Sequence, residues 1–378
     1  MLLEDVDKDA ILAKVAGRKV LSSVSGGKDS TAMCLFLKEL GIPYEAVTMD
    51  TGWEQKDTYD FIDNVLPEYI GPITKIRYDG KEKGDLACLQ KRYGDAMGAE
   101  IDARAKEMEA MIGVSWSPMV RLVLHKGLFP ARQIRWCTQY LKVKTIKEYI
   151  MGHDEDCVNA VGIRAAESLA RSKYPEWEYN EEYDTDIWRP LIRWTEQDVV
   201  AIHKRHGVPP NPLYLKGSAR VGCWPCIFAR KAEIRMIGEM DPERIDVMRV
   251  LEQTVQWIAA WRYEKQGETF ESLGLSPPTW FQSRASHRDP DTGELRSDGQ
   301  CWPIDRVLKW SQTKRGGRTE EPFSQMPYEG GCMRWGLCDT SWMENKRTTT
   351  LDLFAAADEG TADDLSGLEE LDEDGTCS

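Results

Sequence analysis

Short apolar runs alternate with amphipathic stretches along the first half of the chain. Residues 19–24, 44–49 and 73–78 are β-prone runs of the length expected for buried strands. Between the first two, residues 31–40 place apolar side chains on one helical face, and Gly41 follows as a stop signal. The alternation continues to Ile192. It predicts an α/β fold with a doubly wound, mostly parallel sheet that is covered on both faces.

The pattern changes after Pro209. Helical periodicity returns at residues 231–238 and 242–265, whereas residues 266–339 combine Gly, Pro, Trp and charge with weak periodicity. We expect an irregular helical appendage there. The chain therefore divides into a sheet domain, a helical and irregular Trp-rich region and an acidic tail, which span residues 1–230, 231–347 and 348–378.

The acidic charge of the chain is concentrated in this tail. The 378 residues carry a formal net charge of −14. From Thr348 onward there are ten Asp or Glu residues and no Lys or Arg, which leaves 49 basic and 53 acidic residues before it. The tail is poor in aromatic residues, so we expect it to be disordered. The remaining body is nearly neutral and is compatible with an anionic ligand.

The lengths of the apolar runs indicate where the protein is located. No run approaches the ~20 apolar residues of a membrane-spanning helix. The first ten residues are acidic without an apolar run, unlike a secretory signal. We therefore expect a cytoplasmic protein with no membrane partner. The ten cysteines are then thiols, catalytic groups or metal ligands rather than a disulfide framework.

A glycine-rich turn between the first strand and the first long helix predicts a phosphate site. Such a turn presents backbone N–H groups and the positive end of the helix dipole. Glycines let the backbone approach phosphate closely, the lysine adds a point charge, and the serines offer hydroxyl groups. The spacing is not that of a Walker loop. This phosphate loop consists of Ser25, Gly26, Gly27, Lys28, Asp29 and Ser30.

Two further patterns concern metal ligands. The five histidines are scattered, and only His203 and His206 share a helical spacing, next to charged residues. We interpret these two as solvated and expect no histidine zinc site. Cys223 and Cys226, by contrast, have the spacing at which two thiolates bind one metal centre. Zinc, a redox disulfide and inert buried thiols are the alternatives to an iron–sulfur cluster at this pair.

The residues around the phosphate loop identify a family resemblance. Val24 to Thr31, VSGGKDST, resembles the PP-loop of the adenine-nucleotide α-hydrolase group. Further stretches resemble the phosphoadenosine phosphosulfate (PAPS) reductase branch of that group and occur in the same order. They are MDTGW at 49–53 with Thr58 and Tyr59, RWCT at 135–138 with Leu141 and Lys142, GIRAAES at 162–168 with Arg171, WRPL at 188–191 with Trp194 and Thr195, and residues 207–226.

The resemblance implies roles for residues at the carboxyl ends of the strands. ATP or PAPS is the implied ligand, with its phosphates on the phosphate loop. Asp50, Thr51 and Gly52 are implied to hold the adenine nucleoside. Arg164 and Arg171 are implied to bind phosphate or sulfate oxygens near the reacting group, which suits the bidentate geometry of arginine. Beside them, Ser168 belongs to the same nucleotide site, and Glu167 either orients Arg164 or binds Mg²⁺.

The resemblance also implies a 4Fe–4S cluster. Cys137 lies where cluster-bearing members of the family place ligands, although they use an adjacent pair and this chain has a single cysteine. Cys137, Cys223 and Cys226 therefore need a fourth ligand. We assign Cys338 to this position in preference to Cys332 because it follows Gly336 and Leu337 in a predicted turn.

Three functions remain open from the sequence. PAPS reduction comes first because of the extended likeness, but the family's C-terminal Glu-Cys-Gly-Leu-His motif is missing, and neither Cys338 nor Cys377 preserves it. ATP pyrophosphatase activity that supports DNA phosphorothioation or tRNA thiolation is the second. A non-catalytic nucleotide or iron–sulfur sensor is the third. The first two require an electron or sulfur donor protein.

Two macromolecular partners are also predicted. Lys309, Lys314, Arg315 and Arg318 surround Trp310 and suit a nucleic-acid backbone, with a solvated basic loop as the alternative. In the tail, residues 350–354, TLDLF, resemble peptides that bind the bacterial sliding clamp, with Leu353 and Phe354 as the anchors. The alternative is a helix end that packs on the body.

Overall fold

The computed structural model describes residues 7–131, 134–182, 184–283, 287–288, 295–296 and 300–313. Within these ranges, no helix has both the length and the apolar character that a membrane span requires. The predicted acidic tail and the segment with Cys332 and Cys338 lie outside the described residues.

A six-stranded sheet forms the centre of the fold. Its strand order is β3-β2-β1-β4-β6-β5, and every neighbouring pair is parallel except β5 and β6. The register pairs Val20 of β1 with Tyr44 of β2 and with Val158 of β4. The predicted mostly parallel α/β sheet is therefore confirmed. The strands are β1 (Lys19–Ser23), β2 (Tyr44–Met49), β3 (Ile73–Ile76), β4 (Cys157–Val161), β5 (Trp177–Asn180) and β6 (Thr185–Trp188).

Helices flank the sheet and extend beyond it. Those up to β4 are α1 (Lys8–Val15), α2 (Lys28–Leu40), α3 (Lys56–Asp60), α4 (Leu66–Ile70), α5 (Leu86–Tyr93), α6 (Asp95–Met111), α7 (Pro118–Lys126), α8 (Trp136–Thr138) and α9 (Thr145–Met151). Those after the sheet are α10 (Glu196–Arg205), α11 (Pro212–Leu215), α12 (Lys231–Met240), α13 (Pro242–Glu264) and α14 (Ile304–Ser311). π-helical turns at Phe61–Val65 and Gln139–Lys144 join α3 to α4 and α8 to α9.

The structure departs from simple strand–helix alternation in two places. The described residues between β3 and β4 contain the helices α5 to α9, and the antiparallel β5 closes one edge of the sheet. In the predicted appendage, short antiparallel pairs form before α14. They are β7 (Phe281–Ser283) with β10 (Gln300–Trp302), and β8 (His287–Arg288) with β9 (Leu295–Arg296).

Two large hydrophobic clusters make up most of the core. One joins β1 and β4 to α2 and α10 beneath the sheet, and contains Leu35, Trp188 and Val199. The other packs α5, α6 and α7 against α13 and includes Val120 and Leu251. This second cluster draws residues from both sides of position 230, and the predicted domain boundary there stays a prediction.

Candidate functional site

The phosphate loop lies between the carboxyl end of β1 and the first turn of α2, as the sequence predicts. Gly26 has a φ of +70°, and a Cβ there would lie 3.0 Å from the Ile62 side chain. The Asn211 amide donates to the Gly26 carbonyl at 3.1 Å. The Lys28 backbone N–H donates to the Tyr214 hydroxyl at 3.2 Å. Asn211, just before α11, and Tyr214, within α11, therefore hold the backbone of the phosphate loop in place.

Charged side chains gather around this loop. The Lys28 ammonium lies 3.1 Å from Asp29 and 3.4 Å from Glu196. Arg164, from the segment after β4, pairs with the other oxygen of Asp29. Lys28 and Arg164 are 8% and 5% exposed, so both cations are held in the protein rather than in bulk water. The structure thus brings together the predicted phosphate-binding lysine and one of the two predicted arginines.

The two serines of the loop contact each other. Ser30 donates to the Gly27 carbonyl at 3.1 Å, and the hydroxyl oxygens of Ser25 and Ser30 are 3.2 Å apart. The Ser25 backbone N–H also donates to the Ser30 hydroxyl at 3.1 Å. The Ser30 hydroxyl therefore stabilises the turn by hydrogen bonds to other residues of the phosphate loop.

Glu167 connects the two predicted arginines. Its carboxylate accepts the backbone N–H of Arg164 at 3.0 Å and pairs with the Arg171 guanidinium. Ser168 accepts the backbone N–H of Arg171 at 3.2 Å. The Arg171 side chain is 41% exposed, so it lies at the rim while Arg164 is buried. These contacts join Glu167 to the Arg164 backbone and to the Arg171 side chain, and both of its predicted roles, orienting Arg164 or binding Mg²⁺, stay predictions.

Asp50 begins the segment after β2 and is held on two sides. One carboxylate oxygen pairs with the Arg77 guanidinium at 2.6 and 2.8 Å. The other accepts the Gly52 backbone N–H at 2.9 Å and the Tyr59 hydroxyl at 3.0 Å. Sequence reasoning missed Arg77. Arg77 directly follows β3, so it lies at the same carboxyl edge of the sheet as Asp50. This position along the chain could have indicated that Arg77 belongs to the site.

Glu54 is a second residue that sequence reasoning missed. The Thr51 hydroxyl donates to its carboxylate at 2.7 Å, and the Tyr59 hydroxyl donates to it at 2.8 Å. Burial raises the pKa of Tyr59, with the charges of Glu54 and Asp50 acting in the same direction. Tyr59 therefore stays protonated, and its single hydroxyl hydrogen is within reach of both carboxylates.

Gly52 allows a close approach of two backbones. Its φ is +63°, and a Cβ there would lie 2.4 Å from the Ser117 Cα. Ser117 donates to the Gly52 carbonyl at 2.8 Å and is itself fixed by Glu109, which accepts its backbone N–H at 2.8 Å. Glu109 in turn pairs with the buried Arg121 at 2.7 Å. A buried ion pair therefore supports the segment predicted to bind the nucleoside.

The prediction that His203 and His206 are solvated is wrong. His203 is 2% exposed, and its Nε2 lies 2.8 Å from the Lys28 carbonyl. Burial lowers the pKa of His203 to about 4. His206 is half-buried and contacts Glu39 at 2.8 Å. The reason is that α10 packs on α2, so His203 meets the first turn of α2 and His206 meets Glu39 near the end of that helix.

The turn with Cys223 and Cys226 is attached to the segment after β2. The Trp53 indole N–H donates to the Pro225 carbonyl at 3.0 Å, and the Trp224 backbone N–H donates to the Trp53 carbonyl at 2.8 Å. Trp53 is fully buried. The predicted nucleoside-binding segment and the cysteine turn thus form one continuous hydrogen-bonded structure.

Three of the four predicted cluster ligands lie in one region. The charge of Cys223 has the largest effect on the pKa of Lys142 and raises it, whereas burial lowers it. Glu54, Cys226 and Cys137 also raise the pKa of Lys142. Burial raises the pKa of Cys137, and Cys226 adds to this effect. The three thiols are therefore close enough for the charge of one to act on the others.

The arrangement of these thiols is not that of a complete metal site. Burial raises the pKa of Cys223 to about 12, although Lys142 lowers it. Within the described part of the chain, no group of three or more His, Cys, Asp or Glu residues is arranged to hold a metal ion. Cys338 and Cys332, the candidates for the fourth ligand, lie outside that part.

Most residues of the predicted nucleic-acid and sliding-clamp sites also lie outside the described residues. Lys309 is exposed on α14, but Lys314, Arg315 and Arg318 are not among the described residues, and neither are Leu353 and Phe354. The nucleic-acid and sliding-clamp contacts stay predictions.

The fold and the site are those of a PP-loop α/β protein. The features that define it are the sheet order, the phosphate loop at the carboxyl end of β1 and the segments that hydrogen-bond to this loop. Residues 19–96 and 120–229 match the phosphoadenosine phosphosulfate reductase domain. The adenosine 5'-phosphosulfate reductase of Allochromatium vinosum is 24% identical over 210 residues, which are 56% of this chain and 68% of that protein. The chain belongs to the PAPS reductase family.

Two further similarities are to a phage protein and to a solved structure. An uncharacterized 37.8 kDa protein of Escherichia phage 186 is 35% identical over 316 residues, which are 78% of this chain and 88% of its own length. The crystal structure of a PAPS reductase from Candida auris, in its phosphate complex, has 18% identity and a TM-score of 0.38. It covers 59% of this chain and 91% of that chain. The similarity to the phage protein extends well beyond the region matched by the reductase domain.

Proposed function

We propose that this protein binds a sulfated adenine nucleotide and performs phosphoadenylyl-sulfate reductase-like sulfur chemistry on it. One observation carries the proposal. Trp53 hydrogen-bonds to the cysteine turn and lies in the segment that follows β2, the strand paired with β1, which leads into the phosphate loop. Family membership supplies the nucleotide class, and this connection places sulfur-bearing side chains on the same scaffold.

The phosphate loop and the arginines provide the anion site in this proposal. The Lys28 ammonium binds the nucleotide phosphates together with backbone N–H groups in the first turn of α2 other than that of Lys28, which donates to Tyr214. Arg164, now paired with Asp29, exchanges that partner for phosphate or sulfate oxygens. Arg171 at the exposed rim binds the distal anionic group, and Glu167 orients its guanidinium while it holds the backbone N–H of Arg164. Asp50, Thr51 and Gly52 form the wall for the nucleoside.

In the same proposal, Cys137, Cys223 and Cys226 are the candidate ligands of a metal centre, although the described residues alone form no complete metal site. With Cys338 as the fourth thiolate, they would hold a 4Fe–4S cluster, or zinc, both of which accept four cysteines. Such a centre would supply fixed negative charge and sulfur ligands beside the nucleotide.

Product analysis tests the proposal and separates it from thiolation. The purified protein is incubated anaerobically with PAPS or adenosine 5'-phosphosulfate and a dithiol donor, and separately with ATP and Mg²⁺. Reduction of the sulfate group consumes two electrons from the dithiol and releases sulfite, which is the expected result. Pyrophosphate from ATP without sulfite would replace the reductase proposal by the pyrophosphatase one. Binding without either product would leave the sensor.

A further inference from the structure

Trp280 lies immediately before β7, outside residues 19–96 and 120–229 that match the reductase domain. It is 2% exposed, and its ring centre lies 5.3 Å from that of Trp53 and 5.8 Å from that of Phe129. The Trp280 indole N–H is buried without a hydrogen-bond partner among the described residues. A buried tryptophan usually has such a partner, so packing of the ring rather than hydrogen bonding holds this side chain in place.

A buried carboxylate fixes the backbone of Trp280. Glu252 of α13 is 4% exposed and accepts the Trp280 backbone N–H at 3.0 Å with one oxygen. Its other oxygen accepts the Ile304 backbone N–H at 3.0 Å. Buried carboxylates are stable only with donors of this kind, so the two hydrogen bonds are needed on both sides. The Trp280 ring therefore meets Trp53 from a fixed position beside α13.

Trp53, on which Trp280 packs, joins two parts of the candidate site. It directly follows residues 50–52, the segment predicted to hold the adenine nucleoside. Its indole N–H donates to the cysteine turn at 3.0 Å, and its carbonyl accepts from that turn at 2.8 Å. The guanidinium of Arg244, on α13, lies 4.6 Å from the centre of the same ring, and its Nη2 donates to the Glu54 carbonyl at 3.2 Å. Two side chains from outside the matched domain thus contact the end of the nucleoside segment.

The phosphate loop is held by other residues. Asn211 and Tyr214 hydrogen-bond to its backbone, and both belong to the matched domain. The ring contacts of Trp280 are with Trp53 and Phe129 instead. A change at Trp280 should therefore disturb the nucleoside part of the site and leave the phosphate part intact.

We propose that Trp280 is a positioning residue for the adenine nucleoside. Its ring holds Trp53, and through Trp53 the backbone of residues 50–52, in the shape that accepts the nucleoside. Small displacements of a binding segment weaken a ligand strongly, because the lost shape must be restored at a free-energy cost on binding. The inference rests on the nucleotide site of the proposed function and does not depend on a metal at the cysteine turn.

Calorimetric titration of the full-length protein with PAPS and, separately, with inorganic pyrophosphate tests the inference. Pyrophosphate needs only the phosphate loop, whereas PAPS also needs the nucleoside segment. We expect Trp280→Leu to weaken PAPS binding about 10-fold or more and pyrophosphate binding less than about 3-fold. Trp280→Phe keeps an aromatic ring and should bind PAPS within about 3-fold of the wild type. Trp261→Leu is the matched control, since Trp261 of α13 packs on Tyr93 instead, and should leave both affinities unchanged.

The outcomes separate this inference from the proposed function. If the wild type does not bind PAPS, the nucleotide site itself fails, and the inference fails with it. If the wild type binds PAPS and Trp280→Leu binds it equally well, or loses both ligands to the same degree, only the inference fails. A Trp280→Phe variant as weak as Trp280→Leu would also overturn it. Circular dichroism checks the fold of each variant, and should Trp280→Leu not fold, Trp280→Met, which fills irregular core space, is judged by the same criteria.

Discussion

At the scale of single residues, Lys28 is the side chain on which nucleotide binding depends most. Its ammonium lies between Asp29 and Glu196, poised at the phosphate loop. Lys28→Ala removes one charge-assisted contact to phosphate, worth about 1.5–3 kcal/mol. We expect the affinity for ATP or PAPS to fall about 10- to 100-fold in isothermal calorimetry, with the fold retained.

Lys38→Ala is the control for this prediction. Lys38 is an exposed lysine on the same helix, and its ammonium donates to the Tyr69 carbonyl at 3.1 Å, away from the loop. Its loss should leave nucleotide affinity unchanged. An unchanged affinity in Lys28→Ala as well would remove the phosphate-loop assignment.

His203 predicts a pH dependence of stability. Burial lowers its pKa from the usual 6.5 to about 4, so the folded protein keeps the ring neutral while the unfolded chain takes up a proton. Its stabilising effect is complete above pH 6.5 and is lost as the pH falls towards 4, up to about 3 kcal/mol. Urea unfolding across this range should show a shallower pH dependence in His203→Gln. Equal slopes in the two proteins would contradict the buried neutral histidine.

The residue scale is also where sequence reasoning reached its limit. The phosphate loop and Arg164 follow from motif and order along the chain. Arg77 and His203 do not, because their contacts are made across elements that only the folded chain brings together. Glu54 does not either: its partners Thr51 and Tyr59 are near in sequence, but it lies just past the matched stretch 49–53. His203 shows the reason most clearly: its charged sequence neighbours suggested solvent, but α10 turns this side chain towards α2.

At the scale of elements, the turn after β2 requires glycine at position 52. Gly52→Ala would add the strain of a left-handed backbone and a clash with the Ser117 backbone, together about 2–5 kcal/mol. Gly41→Ala is the matched control. Gly41 also has a positive φ, +74°, but an added Cβ there would meet nothing within 4 Å. Gly41→Ala should cost only about 1–2 kcal/mol. Urea unfolding of both variants measures the difference, and equal losses would show that the close approach to Ser117 is unimportant.

Several elements could be predicted from the sequence. The β2 strand has the predicted bounds, and α12 and α13 begin at the predicted residues because Lys231 and Pro242 open clear periodic stretches. The antiparallel β5 and the helices between β3 and β4 could not be predicted. Strand direction and helix placement depend on long-range packing, which a local pattern does not encode.

At the scale of the whole molecule, the helices after residue 230 take part in both the core and the candidate site. Leu251 and Val255 of α13 share a hydrophobic cluster with Val120 of α7. Arg244, on the same helix, contacts the segment after β2. The central claim is therefore a single site in which the nucleotide and the cysteine centre are adjacent.

The visible spectrum of anaerobically purified protein, recorded before and after addition of PAPS, tests this claim most directly. We predict brown protein with the broad absorption of thiolate-ligated iron, and a change of that absorption on PAPS binding that Lys28→Ala prevents. Colourless protein with stoichiometric zinc would reject the cluster but keep the ligands. Protein without metal after anaerobic reconstitution, or an iron spectrum that stays unchanged at saturating PAPS, would contradict the claim.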